Sequence, residues 1–219
     1  MPQRIRRLGL IGDIHGEDER LAQAIAYLQG RGVDAIAATG DVVDGLGDVD
    51  RCCELLGQHG VITVRGNHDR WLLAGIMRDL PHATMDVSPA SRRFLAGLPG
   101  TTVLFTVAGA LLLCHGMGSS DMARLGPDDD GYAIQFHTEL QELIQDPSVQ
   151  LVACGHMHQR FVRSFPGLVV MNPGTLFRDH APGFYLVDFV EGTASGYDLA
   201  QPDAVREEPV QRWRQDLPV

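Results

Sequence analysis

Asp, His and Asn residues recur along this chain in five short glycine-flanked motifs: Gly12-Asp13-Ile14-His15-Gly16, Gly40-Asp41-Val42-Val43-Asp44, Gly66-Asn67-His68-Asp69, Cys114-His115-Gly116 and Gly155-His156-Met157-His158. Carboxylate, imidazole and amide oxygen suit Mn, Fe or Zn, whereas structural zinc sites favour thiolates. Asp13, His15, Asp41, Asn67, His115, His156 and His158 make seven donors. If one carboxylate bridges, they supply four ligands to each of two ions. Two ions about 3.5–4 Å apart generate hydroxide at neutral pH and clamp a phosphoryl group for in-line attack. Only two of the seven donors are anionic, so such a centre keeps positive charge for an anionic substrate. Of the nine histidines, His59, His82, His137 and His180 stand outside these motifs and receive no role.

Each motif follows an apolar run of strand character. Ile5–Ile11, Ala35–Thr39 and Val61–Val64 alternate with Asp18–Leu28 and Val49–Leu56, whose apolar residues recur at helical spacing. This alternation predicts a parallel sheet with crossover helices, in which functional loops gather at the carboxyl ends of strands. Ser88-Pro89-Ala90 predicts a helix that ends near Gly97. Thr101–Val107 and Leu111–Cys114 flank Ala108-Gly109-Ala110 and predict a hairpin. One amphipathic helix is expected over Tyr132–Gln145, and strands over Leu151–Cys154, Phe161–Phe165, Leu168–Met171 and Phe184–Phe189. The first half thus reads as α/β and the second as mostly β. Residues 1–200 are expected to form one domain, and the charged, proline-bearing residues 201–219 a loosely packed tail anchored by Trp213.

A chain of 219 residues with 44% hydrophobic content has the material for one normal core. The net charge of -10 argues against coating nucleic acid or anionic membrane through bulk electrostatics. It leaves room for an anionic substrate, because bound cations dominate a local field. Arg4, Arg6 and Arg7 precede a short apolar run that Asp13 interrupts, which is too little for a signal peptide. No stretch reaches bilayer-spanning length. A soluble, cytoplasmic protein is expected, with homo-oligomerisation left open. Cys52, Cys53, Cys114 and Cys154 form no Cys-x-x-Cys pair and read as small buried hydrophobes.

The motif series resembles that of the calcineurin-like metallophosphoesterases, which runs Asp-x-His, Gly-Asp-x-x-Asp, Gly-Asn-His-Asp or Glu, a lone His after a strand, and Gly-His-x-His. Asn172-Pro173-Gly174-Thr175 also resembles the Asn-Pro-Gly-Ser segment of the small bacterial phosphodiesterase branch. The resemblance covers most of the chain. It implies a four-layer αββα sandwich of two mixed β-sheets flanked by helices. It implies two divalent ions, manganese foremost, with Fe, Zn, Ni or Mg as alternatives. Asp13, His15, Asp41 and His158 would hold one ion, and a bridging Asp41 with Asn67, His115 and His156 the other. A hydroxide bridging the ions would attack phosphorus, and His68, oriented by Asp69, would protonate the leaving oxygen. An imidazolium beside a carboxylate suits that role near neutral pH.

Departures narrow the branch. Gly45 stands where protein serine/threonine phosphatases of this superfamily carry a phosphate-binding Arg, and Asp69 where they carry Glu. Small bacterial members that read Gly-Asn-Cys-Asp lack the acid, whereas this chain keeps His68 and need not rely on very good leaving groups. Arg65 and Arg178 are expected to contact the phosphoester substrate, with Arg70 and Arg124 in the same set, although each alone is more often a solvated charge. Asp44 is expected to hydrogen-bond a ligand or loop backbone. The expected activity is phosphodiester hydrolysis of small or nucleotide-like substrates. Phosphomonoesterase, protein phosphatase or diadenosine polyphosphate hydrolase are the alternative activities, and a metal-binding scaffold the non-enzyme one.

Overall fold

A computed structural model describes residues 4–201 and 204–213. Strands β1 (Arg7–Ile11), β2 (Ala35–Ala38) and β3 (Ile62–Thr63) run parallel, joined by helices α1 (Asp18–Gly30) and α2 (Val49–Gln58). Helices α3 (Asn67–Leu73) and α4 (Pro89–Gly97) lead into a second sheet made of β4 (Thr101–Thr106), β5 (Gly109–Cys114), β6 (Leu151–Ala153), β7 (Arg160–Phe165) and β8 (Leu168–Pro173). Its order is β4-β5-β6-β8-β7, with β5, β6 and β8 parallel. The chain then returns to the first sheet. There β9 (Gly183–Asp188) pairs antiparallel with β1, and β10 (Thr193–Gln201) with β9.

The period-2 alternation of side chains explains the layering. Leu8 and Leu10 of β1 and Tyr185 and Val187 of β9 meet Leu111 and Leu113 of β5 and Val169 and Met171 of β8 between the sheets. Ile11 and Phe184 point the other way, onto the apolar stripes of α1 and α2, which include Leu21, Ile25, Cys52 and Leu56. Val152 and Val170 point outward from the second sheet onto Leu140 and Leu143 of α6 (Thr138–Gln145). The result is the expected αββα sandwich of two mixed sheets. Central strands buried on both faces appear in sequence as unbroken apolar runs.

Three elements differ from expectation. The single helix expected over 132–145 divides into α5 (Gly131–Gln135) and α6, because the His137 ring turns back to accept from the Leu140 N–H and caps a new helix. Asn67–Leu73 is a helix in a stretch to which the sequence pattern assigned no element. In the expected loose tail, β11 (Ala204–Glu207) and β12 (Gln211–Arg212) pair with β10, and Trp213 is buried 6.3 Å from the Phe189 ring. Residues 202–203 and 214–219 of that tail lie outside the described residues. Among the described residues no helix is long and apolar enough to cross a membrane.

The five motifs follow the carboxyl ends of β1, β2, β3, β5 and β6. These are the parallel strands' outlets, so both sheets deliver their motifs to one edge of the sandwich.

Candidate metal centre

Two groups of side chains face one another at that edge. Asp13, His15 and His158 form one, and Asp41, His115 and His156 the other, with the offered atoms of each group within 4.8 Å of one another. His158 Nε2 lies 3.0 Å from His15 Nε2 and 3.1 Å from Asp13 Oδ2. His115 Nε2 lies 3.2 Å from Asp41 Oδ2 and 2.8 Å from Asn67 Oδ1. Asp41 stands between the groups, since the same Oδ2 is 4.0 Å from His15 Nε2. All seven donors read from the sequence thus converge.

The backbone is bent to make this possible. Among the described residues, the non-glycine residues with positive φ are His15, Asp41, Asp44, His156 and His158, at 47°, 45°, 68°, 67° and 56°. Such conformations cost of order 1–3 kcal/mol each and persist where the surroundings over-determine them. Here Ile14 and His15 both donate their N–H groups to the Asp41 carbonyl, at 3.0 and 2.8 Å. The Asp13 carboxylate takes the His156 N–H at 2.8 Å, and the Asp41 carboxylate the His68 N–H at 2.8 Å. Two glycines are needed for close approach. A Cβ on Gly155 would overlap Asp13 Oδ1 and Thr39 Oγ1, and one on Gly45 would overlap the His15 carbonyl. The Arg that protein phosphatases carry at the latter position has no room here.

The donor set fits divalent cations. His15 Nδ1–H is shared by the carbonyls of Val43 (3.0 Å) and Asp44 (2.9 Å), which leaves the lone pair on Nε2 aimed at His158 and Asp41. His115 Nδ1–H donates to the Thr39 carbonyl at 2.9 Å, so its Nε2 lone pair faces two oxygen acceptors. Lone pairs crowded together in this way call for a cation, or a proton, between them. Burial holds His15 below its ordinary pKa, and burial with the nearby His115 takes His156 down to about 4, so both imidazoles are neutral and able to ligate. Burial also pushes His115 down, but the carboxylates of Asp41 and Asp13 outweigh it and hold the group up at about 10. That ring attracts positive charge in one form or another.

His68 occupies the adjoining position. Its Nδ1–H donates to Asp44 Oδ2 at 2.7 Å, and its Nε2 lies 3.9 Å from Asp41 Oδ2. Burial lowers its pKa, but the Asp44 hydrogen bond and the charges of Asp41, Asp44 and Asp69 raise it by more. The orienting carboxylate is therefore Asp44. Asp69, expected in that role, accepts from the backbone N–H groups of Val42 (2.9 Å), Val43 (3.2 Å) and Gly66 (2.9 Å). Successive residues of a helix do not face each other, so Asp69 cannot reach the His68 ring from the next position of α3. It ties the Asp41 loop to the start of that helix instead.

The expected substrate arginines are placed differently. Arg178 forks onto Glu17 at 2.8 and 2.9 Å, because that carboxylate is only 2% exposed and draws counter-charge from Arg20 as well. Arg70 pairs with Asp121. Neither Arg65 nor Arg178 lines the cleft of about 520 Å³ that opens beside His15, His68 and His158. Arg124 Nε donates to His156 Nε2 at 3.1 Å, which puts this guanidinium at the donor cluster.

Two partners were not foreseen. Arg78 clasps both oxygens of Asp44, at 2.7 and 2.9 Å, from a segment without periodicity that gave no signal. His180 places Nδ1 2.7 Å from His158 Nδ1. A ligand ring that uses Nε2 carries its proton on Nδ1, so His158 donates and His180 accepts, which fixes the tautomer of His158.

A two-sheet sandwich with Asp, His and Asn donors at the parallel-strand outlets defines a metallophosphoesterase architecture. Residues 7–192 match the profile of the calcineurin-like phosphoesterase superfamily domain. The chain belongs to that superfamily, and its class is that of a metallophosphoesterase, a hydrolase of phosphoric ester bonds. Solved structures share the fold. A metallophosphoesterase from Sphaerobacter thermophilus is 19% identical with a TM-score of 0.62, over 84% of each chain. The phosphoesterase Yfce from E. coli is 17% identical with a TM-score of 0.56, over 92% of this chain and 98% of that one. A Zn²⁺ complex of Vps29 from Entamoeba histolytica is 18% identical with a TM-score of 0.56, over 92% and 97%.

Proposed function

We propose that this protein hydrolyses phosphodiesters with a small or nucleotide-like organic part, at a centre of two divalent ions. One observation carries the reading: Asp41 Oδ2 stands between the donor groups, 3.2 Å from His115 Nε2 and 4.0 Å from His15 Nε2. Asp13, His15, Asp41 and His158 would hold one ion, and Asp41, Asn67, His115 and His156 the other. Mixed oxygen and imidazole donors suit manganese. Two ions held there would supply a hydroxide nucleophile and positive charge for phosphoryl oxygens.

The chain's own acid is His68. Asp44 holds its Nδ1–H, so the imidazolium's other proton sits on Nε2, at the cleft. That proton passes to the departing oxygen, and the neutral ring keeps its bond to Asp44. Trp71 packs on the ring at 5.0 Å between centroids and limits its rotation. The four free, buried cysteines support a cytoplasmic setting, where thiols stay reduced.

The test is turnover of aryl phosphate mono- and diesters by Mn²⁺-loaded protein, and none at all would refute the reading. His68→Ala should retain both ions and lose about 10²–10⁴-fold in rate on poor leaving groups. The loss should be much smaller on nitrophenyl esters, and an equal loss on both would remove His68 from the acid role.

A further inference from the structure

The cleft beside His68 has a one-sided chemistry. Leu80, Pro81 and Phe177 supply the apolar part of its wall. Leu80 is 42% exposed, so this apolar surface is open to an incoming group. Apart from the His68 imidazolium at its inner end, the charged residues of the lining are carboxylates, Asp44 and Asp179, and no Arg or Lys lines it among the described residues. The two nearby guanidiniums are held elsewhere: Arg178 turns to Glu17, and Arg78 is spent on Asp44. Asp179 enters no salt bridge among the described residues and faces the cleft as net negative charge.

We infer that this cleft receives the leaving alcohol, and that it selects an uncharged alcohol with an apolar or aromatic face, of nucleoside size, over one that carries further phosphate. The inference rests on the phosphodiesterase reading above. His68 must stand next to the oxygen it protonates, and His68 lines this cleft, so the departing group occupies it. A volume of about 520 Å³ lies within the ~300–1,000 Å³ of small-molecule sites. Phe177 offers a ring for stacking, held edge-on against His15 at 5.5 Å. A second phosphate in the same space, beyond the reach of His68 and the metal ligands, meets Asp179 and finds no Arg or Lys in the lining to pair with as it loses water. Dinucleoside polyphosphates and phosphoproteins with acidic flanks are thereby disfavoured, and dinucleoside monophosphates favoured.

The experiment has three arms on the full chain. Turnover of bis(p-nitrophenyl) phosphate by Mn²⁺-loaded protein reports phosphodiester chemistry itself. The kcat/KM for a dinucleoside monophosphate is then compared with that for a dinucleoside tetraphosphate, in wild type, Phe177→Ala and Asp179→Arg. Finally, ligand-observed NMR compares adenosine with ADP on metal-free protein. Wild type should prefer the monophosphate by at least about tenfold and bind adenosine in preference to ADP. Phe177→Ala should raise KM for the monophosphate by about tenfold, the order of a lost base–aromatic stack. Asp179→Arg should narrow both preferences. Equal or better use of the tetraphosphate, or ADP binding as well as adenosine in wild type, overturns the inference. Silence toward bis(p-nitrophenyl) phosphate with adenosine still bound overturns the activity proposed above and leaves the cleft's selectivity standing.

Discussion

His180 is an exposed residue outside every motif, yet its replacement should weaken one metal ion and spare the other. The contact is the 2.7 Å Nδ1–Nδ1 hydrogen bond to His158. Burial and the His158 ring both lower the pKa of His180, so it is neutral and has a lone pair to offer. Partners that orient a ligating histidine are typically worth about 10–100-fold in metal affinity. Water can replace His180 in part because the ring is exposed, which places the loss in His180→Ala near the lower bound, about tenfold or 1.4 kcal/mol. The loss should fall on the ion held by Asp13, His15 and His158, since His180 touches neither His115 nor His156. Mn²⁺ titration against a competing chelator resolves the two affinities. His180→Asn, whose amide oxygen accepts the same N–H, should recover most of the loss. If alanine leaves both affinities within about twofold, weakens both equally, or is matched by asparagine, the tautomer argument fails.

Other consequences concern the support of the site. Arg78 is 7% exposed and Asp44 3%, so Arg78→Ala strands a buried carboxylate that keeps only His68 and Thr84 as partners. The cost should be about 3 kcal/mol, or roughly 6–12 °C in Tm for a chain of this length, and a calorimetric drop under about 2 °C would count against it. The raised pKa of His68 makes its stabilisation complete below the ordinary value near 6.5 and lost as pH climbs through the folded value. In chelator-treated protein, His68→Gln should therefore lower Tm more at about pH 5.5 than at about pH 9, and an equal effect at both would contradict the shift. Gly155→Ala should leave the circular dichroism spectrum native but push Asp13 aside, so that elemental analysis finds fewer than two ions per chain. Two ions retained in that variant would mean the Asp13 carboxylate is not held where the close approach requires.

The parts of this architecture that could be read from sequence are those in which residue type alone decides position. Leu8, Leu10, Leu111 and Val169 announce strands because each strand is buried on both faces, and the ligand motifs stand out because glycine must precede residues forced into close turns. Other features depend on contacts between distant segments. The residue that orients His68 is one such case. Asp69 is adjacent in sequence, but the helix that begins at Asn67 turns its carboxylate to the backbone, while Asp44, 24 positions earlier, arrives at 2.7 Å. Arg78 and His180 sit in segments without periodicity, so only the folded chain shows what they touch. The break at Phe136-His137 was hidden because apolar spacing continues across it, and the His137 cap is a matter of side-chain rotamer.

The five left-handed residues explain why the site and its scaffold are one unit. His15, Asp41, Asp44, His156 and His158 adopt a conformation that their side chains oppose. The carboxylates that face the candidate ion positions also hold that backbone in place. Asp41 Oδ1 takes the His68 N–H while Oδ2 remains directed at His115, and the Asp13 carboxylate takes the His156 N–H and faces His158. One oxygen of Asp41 therefore secures the loop and the other is presented for coordination. A cation that binds Oδ2 meets a ligand already oriented and does not have to order the loop. Replacing Asp41 by Asn would remove charge from both roles at once. Loss of metal and loss of loop order should then appear together in that variant, whereas His180→Ala separates them.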